Sequence, residues 1–342
     1  MTMQNALIRL IGGAALAAAL AGTAAAQEVT LKLHQFLPAQ ANVPKLILDV
    51  WADRVEDASD GRIAIDRYPS MQLGGTPPEL MDPAIDGVAD IVWTVVGYTP
   101  GRFPTTEVFE LPFMVPDAGA ASYAFWKMFE DGMRDGEFSD LHVLGTWVHG
   151  PGVIHSAEPV ASIDDMTGLK VRGPSRLTNR LIERLGATPV GMPVPAIPEA
   201  LSKGVIDGAV IPWEVTGSLR VPELVEFHTE FEGNMLYTIT FVLAMNKDAY
   251  AALSPENRAV IDANSGLEFS VFAGRTQAAA DAPARAAALE AGNEVITITD
   301  TAPWREATQP IYNEWIAEMA EKGLDGQALI DQARALMDEY DG

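Results

Sequence analysis

Beyond residue 26 the hydrophobic pattern alternates between a period of two and a period near 3.6. Val29-Thr-Leu-Lys-Leu-His-Gln-Phe36 alternates and predicts a first strand. From Pro44 to Val55 the apolar positions Leu46, Val50, Trp51 and Val55 fall at helical spacing, and the run stops before Asp60-Gly61. Pro44 stands in the first turn, where a helix needs no donor. Ile63 to Tyr68 predicts a second strand. Thr76-Pro77-Pro78-Glu79 is a capping box with proline at the first helical position, so a helix is expected to run from there to Gly87. A strand from Asp90 to Val96 follows. This β-α-β-α-β order predicts a largely parallel sheet with helices on both faces.

A second segment repeats the grammar. Lys170-Val-Arg172 closes a short strand, and Ser175 to Leu185 is amphipathic, with Leu177, Leu181, Ile182 and Leu185 inward and Arg176, Arg180 and Arg184 outward. A helix over about 196–202 leads to Gly204-Val-Ile-Asp207 and a strand ending near Trp213, as Gly87-Val-Ala-Asp90 leads to Trp93. The expected fold is therefore α/β with two lobes, each a mostly parallel sheet flanked by helices, joined by crossing strands and a long helix. Leu141 to Val148 and Val153 to Ser156 read as the chain crossing between lobes, and Leu236 to Met245 as a return. Ser254-Pro255-Glu256 opens the long helix, which Pro283 should kink or break. Lobe I is expected over 27–147, with about 241–275 returning to it. Lobe II is expected over 148–240, with about 276–342 packing on it.

Residues 1–26 read as a secretory signal peptide: Arg9, an apolar run from Leu10 to Ala21, and Ala24-Ala25-Ala26 before Gln27. A short membrane anchor is the alternative. The expected destination is the periplasm. The full chain has 342 residues with 23 Lys+Arg against 47 Asp+Glu, a net charge of −24 that argues against a phosphate-backbone partner. Its hydrophobic fraction of 48% supplies a core and argues against disorder. With no cysteine, disulfides, thiolate metal sites and cysteine nucleophiles are all unavailable.

Catalytic signatures are weak. There is no G-x-S-x-G, H-E-x-x-H or phosphate-binding P-loop. His149 and His155 flank Gly150-Pro-Gly152 and could meet in space, but structurally satisfied or solvent-facing histidines are the ordinary explanation for them. Binding chemistry is richer. Ligands of open α/β sheets sit beyond the carboxyl ends of strands. Gln35 and Phe36, Trp93 and Tyr98, Arg172, and Trp213-Glu214 all fall there. Arginine matches a carboxylate with planar paired donors, and aromatic rings make rigid apolar walls.

Met71-Gln-Leu-Gly74, Gly87-Val-Ala-Asp90, Phe109-Glu-Leu-Pro-Phe113, Asp164-Asp-Met-Thr-Gly-Leu-Lys-Val-Arg172 and Gly204-Val-Ile-Asp-Gly208 together resemble a TRAP-transporter solute-binding protein, the periplasmic receptor of an ATP-independent importer. The resemblance implies a two-lobe receptor that closes on one small organic acid and docks on the membrane permease subunits, rather than an enzyme. It implies that Arg172 clamps the ligand carboxylate. Trp213, Trp93, Tyr98 and Phe36 are expected to shape the pocket, with Gln35, His149 and Glu214 as polar candidates. Two features depart from the common pattern. Gly152 stands where many members carry a second basic residue, and Ile211-Pro-Trp-Glu214 replaces a segment that often holds an asparagine. Hydroxy-, keto- or aromatic acids and zwitterions stay open as ligands. No cofactor is expected; a hard cation bridging ligand and Glu214 would suit an oxygen-rich site, but nothing in the sequence asks for one. A secreted enzyme using His149 or His155 as general base, and a sensor that reports to a membrane receptor, are the alternative functions.

Overall fold

The chain builds two sheets. The computed structural model describes residues 27–341, and the expected signal sequence over 1–26 lies outside the described residues. The first sheet contains β1 (Val29–His34), β2 (Ile63–Tyr68), β3 (Ile91–Val95), β4 (Leu141–Val148) and β10 (Thr240–Asn246) in the order β2-β1-β3-β10-β4. The second contains β5 (Gly152–Ser156), β6 (Lys170–Gly173), β7 (Thr188–Gly191), β8 (Gly208–Pro212), β9 (Phe227–Phe231) and β11 (Glu294–Ile298) in the order β11-β9-β5-β8-β6-β7. The chain crosses from the first to the second over 149–151.

Strands β1, β2 and β3 are parallel, with Val29 opposite Ile63 and His34 opposite Tyr68. Strand β10 runs antiparallel to both β3 and β4. Every residue of β3 and β10 is buried, which explains their continuous apolar runs in place of alternation. In the second sheet β7, β6 and β8 are parallel, while β5 runs antiparallel to β8 and β9. The architecture is thus α/β with two helix-flanked sheets, each carrying antiparallel members beside its parallel ones.

The helices are α1 (Asp49–Ala58), α2 (Met81–Ile85), α3 (Ala118–Met128), α4 (Arg176–Arg184), α5 (Ile197–Ser202), α6 (Trp213–Leu219), α7 (Lys247–Ala252), α8 (Pro255–Ala263), α9 (Leu267–Ala279), α10 (Asp281–Glu290), α11 (Ala302–Thr308), α12 (Pro310–Glu321) and α13 (Gly326–Glu339). The capping box forms, with the Glu79 carboxylate accepting from the Thr76 backbone N–H at 2.7 Å. It opens only a 3₁₀ turn that passes into the short α2, because Pro83 has no N–H to extend the ladder.

Three expectations are corrected. Ser254 caps α8 as expected, but the long helix breaks at Gly266, whose φ of +88° is not helical, well before Pro283. Pro283 instead lies in the first turn of α10, where it removes no bond. The arginines of α4 are not free solvated charges: half-buried Arg176 pairs with Glu107 and Glu318, half-buried Arg180 with Glu318, and exposed Arg184 with Glu314. That stripe holds α12 in place. Finally, the C-terminal segment spans both sheets. Helix α10 lies on α6, whereas α13 lies on α3 beside the first sheet, burying Ile330, Ala333 and Met337.

Candidate ligand-binding site

A narrow cavity of about 30 Å³ lies where the two sheets face each other. The first sheet contributes Phe36 and Leu37 from the end of β1, Trp93 and Val95 from β3, Tyr98 from the following turn, and Ile239 and Phe241 from β10. The second contributes Arg172 and Pro174 around the end of β6, Ile211 and Pro212 from β8, and Glu214 and Val215 from α6. His149 and Tyr237, from the two crossing segments, and Gln277 of α9 complete the wall.

Arg172 is the dominant charge. It is 2% exposed, and its stem is fixed by Nε donating to the Met192 carbonyl at 2.8 Å and Nη1 to that of Val210 at 3.2 Å. Its Nη2 is buried without a partner. Among the described residues Arg172 enters no ion pair. Burial lowers its pKa from the ordinary arginine value, and the neighbouring Tyr98 and Tyr237 phenols oppose that shift. Guanidinium nevertheless stays protonated in proteins. The cavity therefore holds a desolvated positive charge with a free donor, an arrangement whose cost a carboxylate would offset.

The rest of this wall is aromatic. Phe36 stacks on Trp93 with centroids 4.6 Å apart, Trp93 lies 5.4 Å from Phe241, and Tyr98 meets Phe36 edge-on at 5.8 Å. The Tyr98 hydroxyl accepts from the Val194 backbone N–H at 2.9 Å, which joins the first sheet to the second. The phenolic proton is then free to donate.

A second polar group of the cavity centres on Glu214, which is 3% exposed. The Trp147 indole N–H, a donor only, donates to Gln277 Oε1 at 2.8 Å, so the Gln277 amide nitrogen faces and donates to Glu214 Oε1 at 2.9 Å. Glu214 Oε2 is buried and unpartnered. Burial raises its pKa to about 7, while the Gln277 amide and, less strongly, the Asn42 amide pull the other way. Beside it Asp281, which accepts from the Glu214 backbone N–H at 2.8 Å, is raised to about 8, mainly by burial. His149 is held down to about 4, first by burial and further by the Arg172 charge, against the opposing Gly150 carbonyl. Its Nδ1 faces that carbonyl, which can only accept, so the proton sits on Nδ1. The bare Nε2 is buried and unpartnered.

Of the residues expected from sequence, Phe36, Trp93, Tyr98, Arg172, His149 and Glu214 come together around this cavity. Gln35 and Trp213 do not line it. Both ends of the Gln35 amide are taken by the Leu37 backbone in the turn after β1. Trp213 begins α6 rather than ending a strand, and its ring turns to the other side, against His155 and His228, with its N–H on Glu230 at 2.7 Å. His155 does not meet His149. It meets His228 across β5 and β9, with Nδ1 atoms 2.7 Å apart. The Ile211 carbonyl faces His155 Nε2 and fixes the proton there, so the proton of the Nδ1 contact comes from His228, whose Nε2 faces the Asn293 side-chain amide at 3.1 Å and accepts from it when the amide turns its NH₂ inward.

Tyr237, Ile239, Phe241 and Gln277 were not anticipated from sequence. The first three sit in the apolar run read only as a crossing segment. Gln277 is one polar residue on a mostly apolar helix. The one available signal was Gly152, because a bulky neighbour must fill the space it leaves. Among the described residues no group of three or more His, Asp or Glu side chains is disposed to hold a metal ion, and Glu214 with Asp281 supplies only two carboxylates.

The geometry agrees with known relatives. The model of the family described as bacterial extracellular solute-binding protein, family 7, matches residues 36–319. A TRAP solute-binding protein from Rhodoferax ferrireducens, solved with copurified benzoate, is 49% identical, with 91% of this chain and 98% of that chain covered and a TM-score of 0.89. A marine metagenome TRAP solute-binding protein, specific for aromatic acid ligands and solved with metahydroxyphenylacetate, is 45% identical, with coverage of 92% and 100% and a TM-score of 0.90. A TRAP periplasmic solute-binding protein from Bordetella bronchiseptica, with bound mandelate, is 31% identical, with coverage of 91% and 99% and a TM-score of 0.84. With its fold, its inter-sheet cavity and these matches across nearly its whole length, the chain belongs to family 7 of the bacterial extracellular solute-binding proteins, the TRAP type.

Proposed function

We propose that this protein is the periplasmic receptor for a one-ring aromatic carboxylate, which it encloses between its two sheets and delivers to a TRAP-type membrane permease. The observation that carries the reading is Arg172: a buried guanidinium with a free Nη2 and no acidic partner, set in a small cavity walled by Phe36, Trp93, Tyr98 and Phe241. The carboxylate takes the Arg172 donor, with the Tyr98 hydroxyl in support, and the ring lies against the aromatic wall. Relatives solved with benzoate, metahydroxyphenylacetate and mandelate support the same class.

The walls come from both sheets, so the site is complete only when they close. Segment 149–151 and the return before β10 are where that hinge would turn, with residues 27–147 and 241–275 moving largely as one lobe and 148–240 as the other. Nothing in the cavity calls for turnover, and the bound acid is released unchanged.

Calorimetric titration with benzoate tests the reading. Wild-type protein should bind it, and Arg172→Met should lose roughly a hundredfold or more in affinity, the scale expected when a buried charge loses its partner. The variant without ligand should melt no lower than wild type, because an unpaired buried charge has been removed. Retained benzoate affinity in Arg172→Met would remove the clamp, and no binding by wild type would remove the ligand class.

A further inference from the structure

We infer that the aromatic acid bound here carries a hydroxyl group on its ring, and that Glu214 selects it. The inference rests on the aromatic-carboxylate reading and extends it to the polar group of the cavity that the carboxylate does not use.

Two buried acceptor atoms on the cavity lack partners. Glu214 lines the cavity, yet its Oε2 is buried and has no partner. Rotation of Gln277 does not relieve this. The Trp147 N–H fixes the amide, and its NH₂ is already given to Oε1. The backbone N–H and C=O of Glu214 are likewise taken, by Asp281 and by Asn42. His149 Nε2 is a second buried acceptor without a partner on the same cavity. Leaving such atoms unsatisfied in a desolvated site is costly. A plain phenyl ring satisfies neither, whereas a ring hydroxyl supplies one donor that either acceptor can take. A hydroxyl also fits better than an ammonium group. It can donate to a carboxylate or accept from a carboxylic acid, whichever form Glu214 takes, and the Arg172 charge on the same cavity disfavours a second cation.

Titration calorimetry with benzoate, 3-hydroxybenzoate and 4-hydroxybenzoate tests the inference on wild type, Glu214→Met and Glu214→Gln. At least one hydroxybenzoate should bind wild type about tenfold or more tightly than benzoate, roughly the worth of one buried hydrogen bond. Glu214→Met should collapse that ratio to within about threefold, and Glu214→Gln, which keeps a hydrogen-bonding group of the same shape, should retain it. The ratio is the readout, so a general loss of affinity in Glu214→Met does not imitate the effect. Equal or tighter binding of benzoate by wild type, or a ratio that survives in Glu214→Met, overturns the inference while leaving the carboxylate clamp standing. Tighter binding of 3-(aminomethyl)benzoate than of either hydroxybenzoate overturns it in favour of a cationic substituent. If no acid binds at all, the clamp and the hydroxyl selection fall together.

Discussion

The ring of Tyr237 lies where any side chain on Gly152 would have to go: a Cβ there would sit 1.9 Å from Tyr237 Cε1 and 2.3 Å from Cδ1. The two residues are also joined through the backbone, Gly152 N–H donating to the Tyr237 carbonyl at 3.1 Å. One residue at the start of β5 and one before β10 thus share a single volume, and Tyr237 spends it on the wall beside Arg172. Gly152→Ala should displace the ring. Overpacking of this kind costs about 1–3 kcal/mol, so a lower denaturation midpoint is expected together with roughly tenfold weaker benzoate binding. Unchanged values for both in chemical denaturation and calorimetry would show that Tyr237 can move without consequence.

A second close approach joins the two sheets. A Cβ on Gly97, in the turn after β3, would lie 2.9 Å from Ser175 Cβ and 3.2 Å from Glu110 Oε1. Ser175 caps α4, just past β6, so the contact forms between residues carried by different sheets. Gly97→Ala is expected to wedge the closed form. Affinity should fall by roughly tenfold, and small-angle scattering should show less compaction on adding benzoate. Adding Ser175→Gly removes the opposing Cβ at the cost of only a few tenths of a kcal/mol in the cap, so the double variant should recover both readouts. A double variant no tighter than Gly97→Ala alone would place the defect elsewhere.

Buried carboxyls set the pH response. Glu110, Glu214 and Asp281 are raised to about 7, about 7 and about 8, chiefly by burial, whereas in the unfolded chain such groups titrate near 4. Between those values the folded protein keeps protons that the unfolded chain has released. Their contribution is therefore full below the unfolded pKa and is lost as pH rises through the folded one. His149, held down to about 4, acts in the opposite sense, but only below its ordinary value of about 6.5. Above that pH the carboxyls act without it. Scanning calorimetry without ligand should show the melting temperature falling from pH 6.5 to 8.5, and Glu110→Gln should flatten the fall. A melting temperature that is level or rising in wild type would contradict the burial of these groups.

The elements that the sequence discloses are those whose reasons are local. The capping box at Thr76, the serine cap at Ser254 and the amphipathic spacing of α4 can be read from a few neighbours, and each forms. Arg172 was legible because it stands at a strand end, where ligands of open α/β sheets bind, in the Lys-x-Arg segment that carries the family resemblance. Trp213 and Gln35 were misplaced because proximity to a strand end does not say which way a side chain turns. Trp213 opens a helix, and Gln35 is consumed by its own turn. Tyr237, Phe241 and Gln277 reach the cavity through pairings between distant parts of the chain. The antiparallel insertion of β10 and the crossing of α9 leave no mark at any fixed spacing. The same limit hid the partner of His155, which lies on β9.

Strand β10 also constrains the order in which the molecule can be made. It sits between β3 and β4, pairing Phe241 with both Val95 and Trp147, yet all of β5 to β9 precede it in the chain. As the polypeptide emerges from its amino end, β3 has one open edge and β4 has no neighbour until Asn246 has appeared. Both are almost wholly apolar, and such unpaired edges are templates on which separate chains join. A fragment ending before Thr240 would therefore self-associate rather than fold as half a receptor, and the nascent chain must be kept from its neighbours until the gap between β3 and β4 is filled from far downstream by the second-to-last strand.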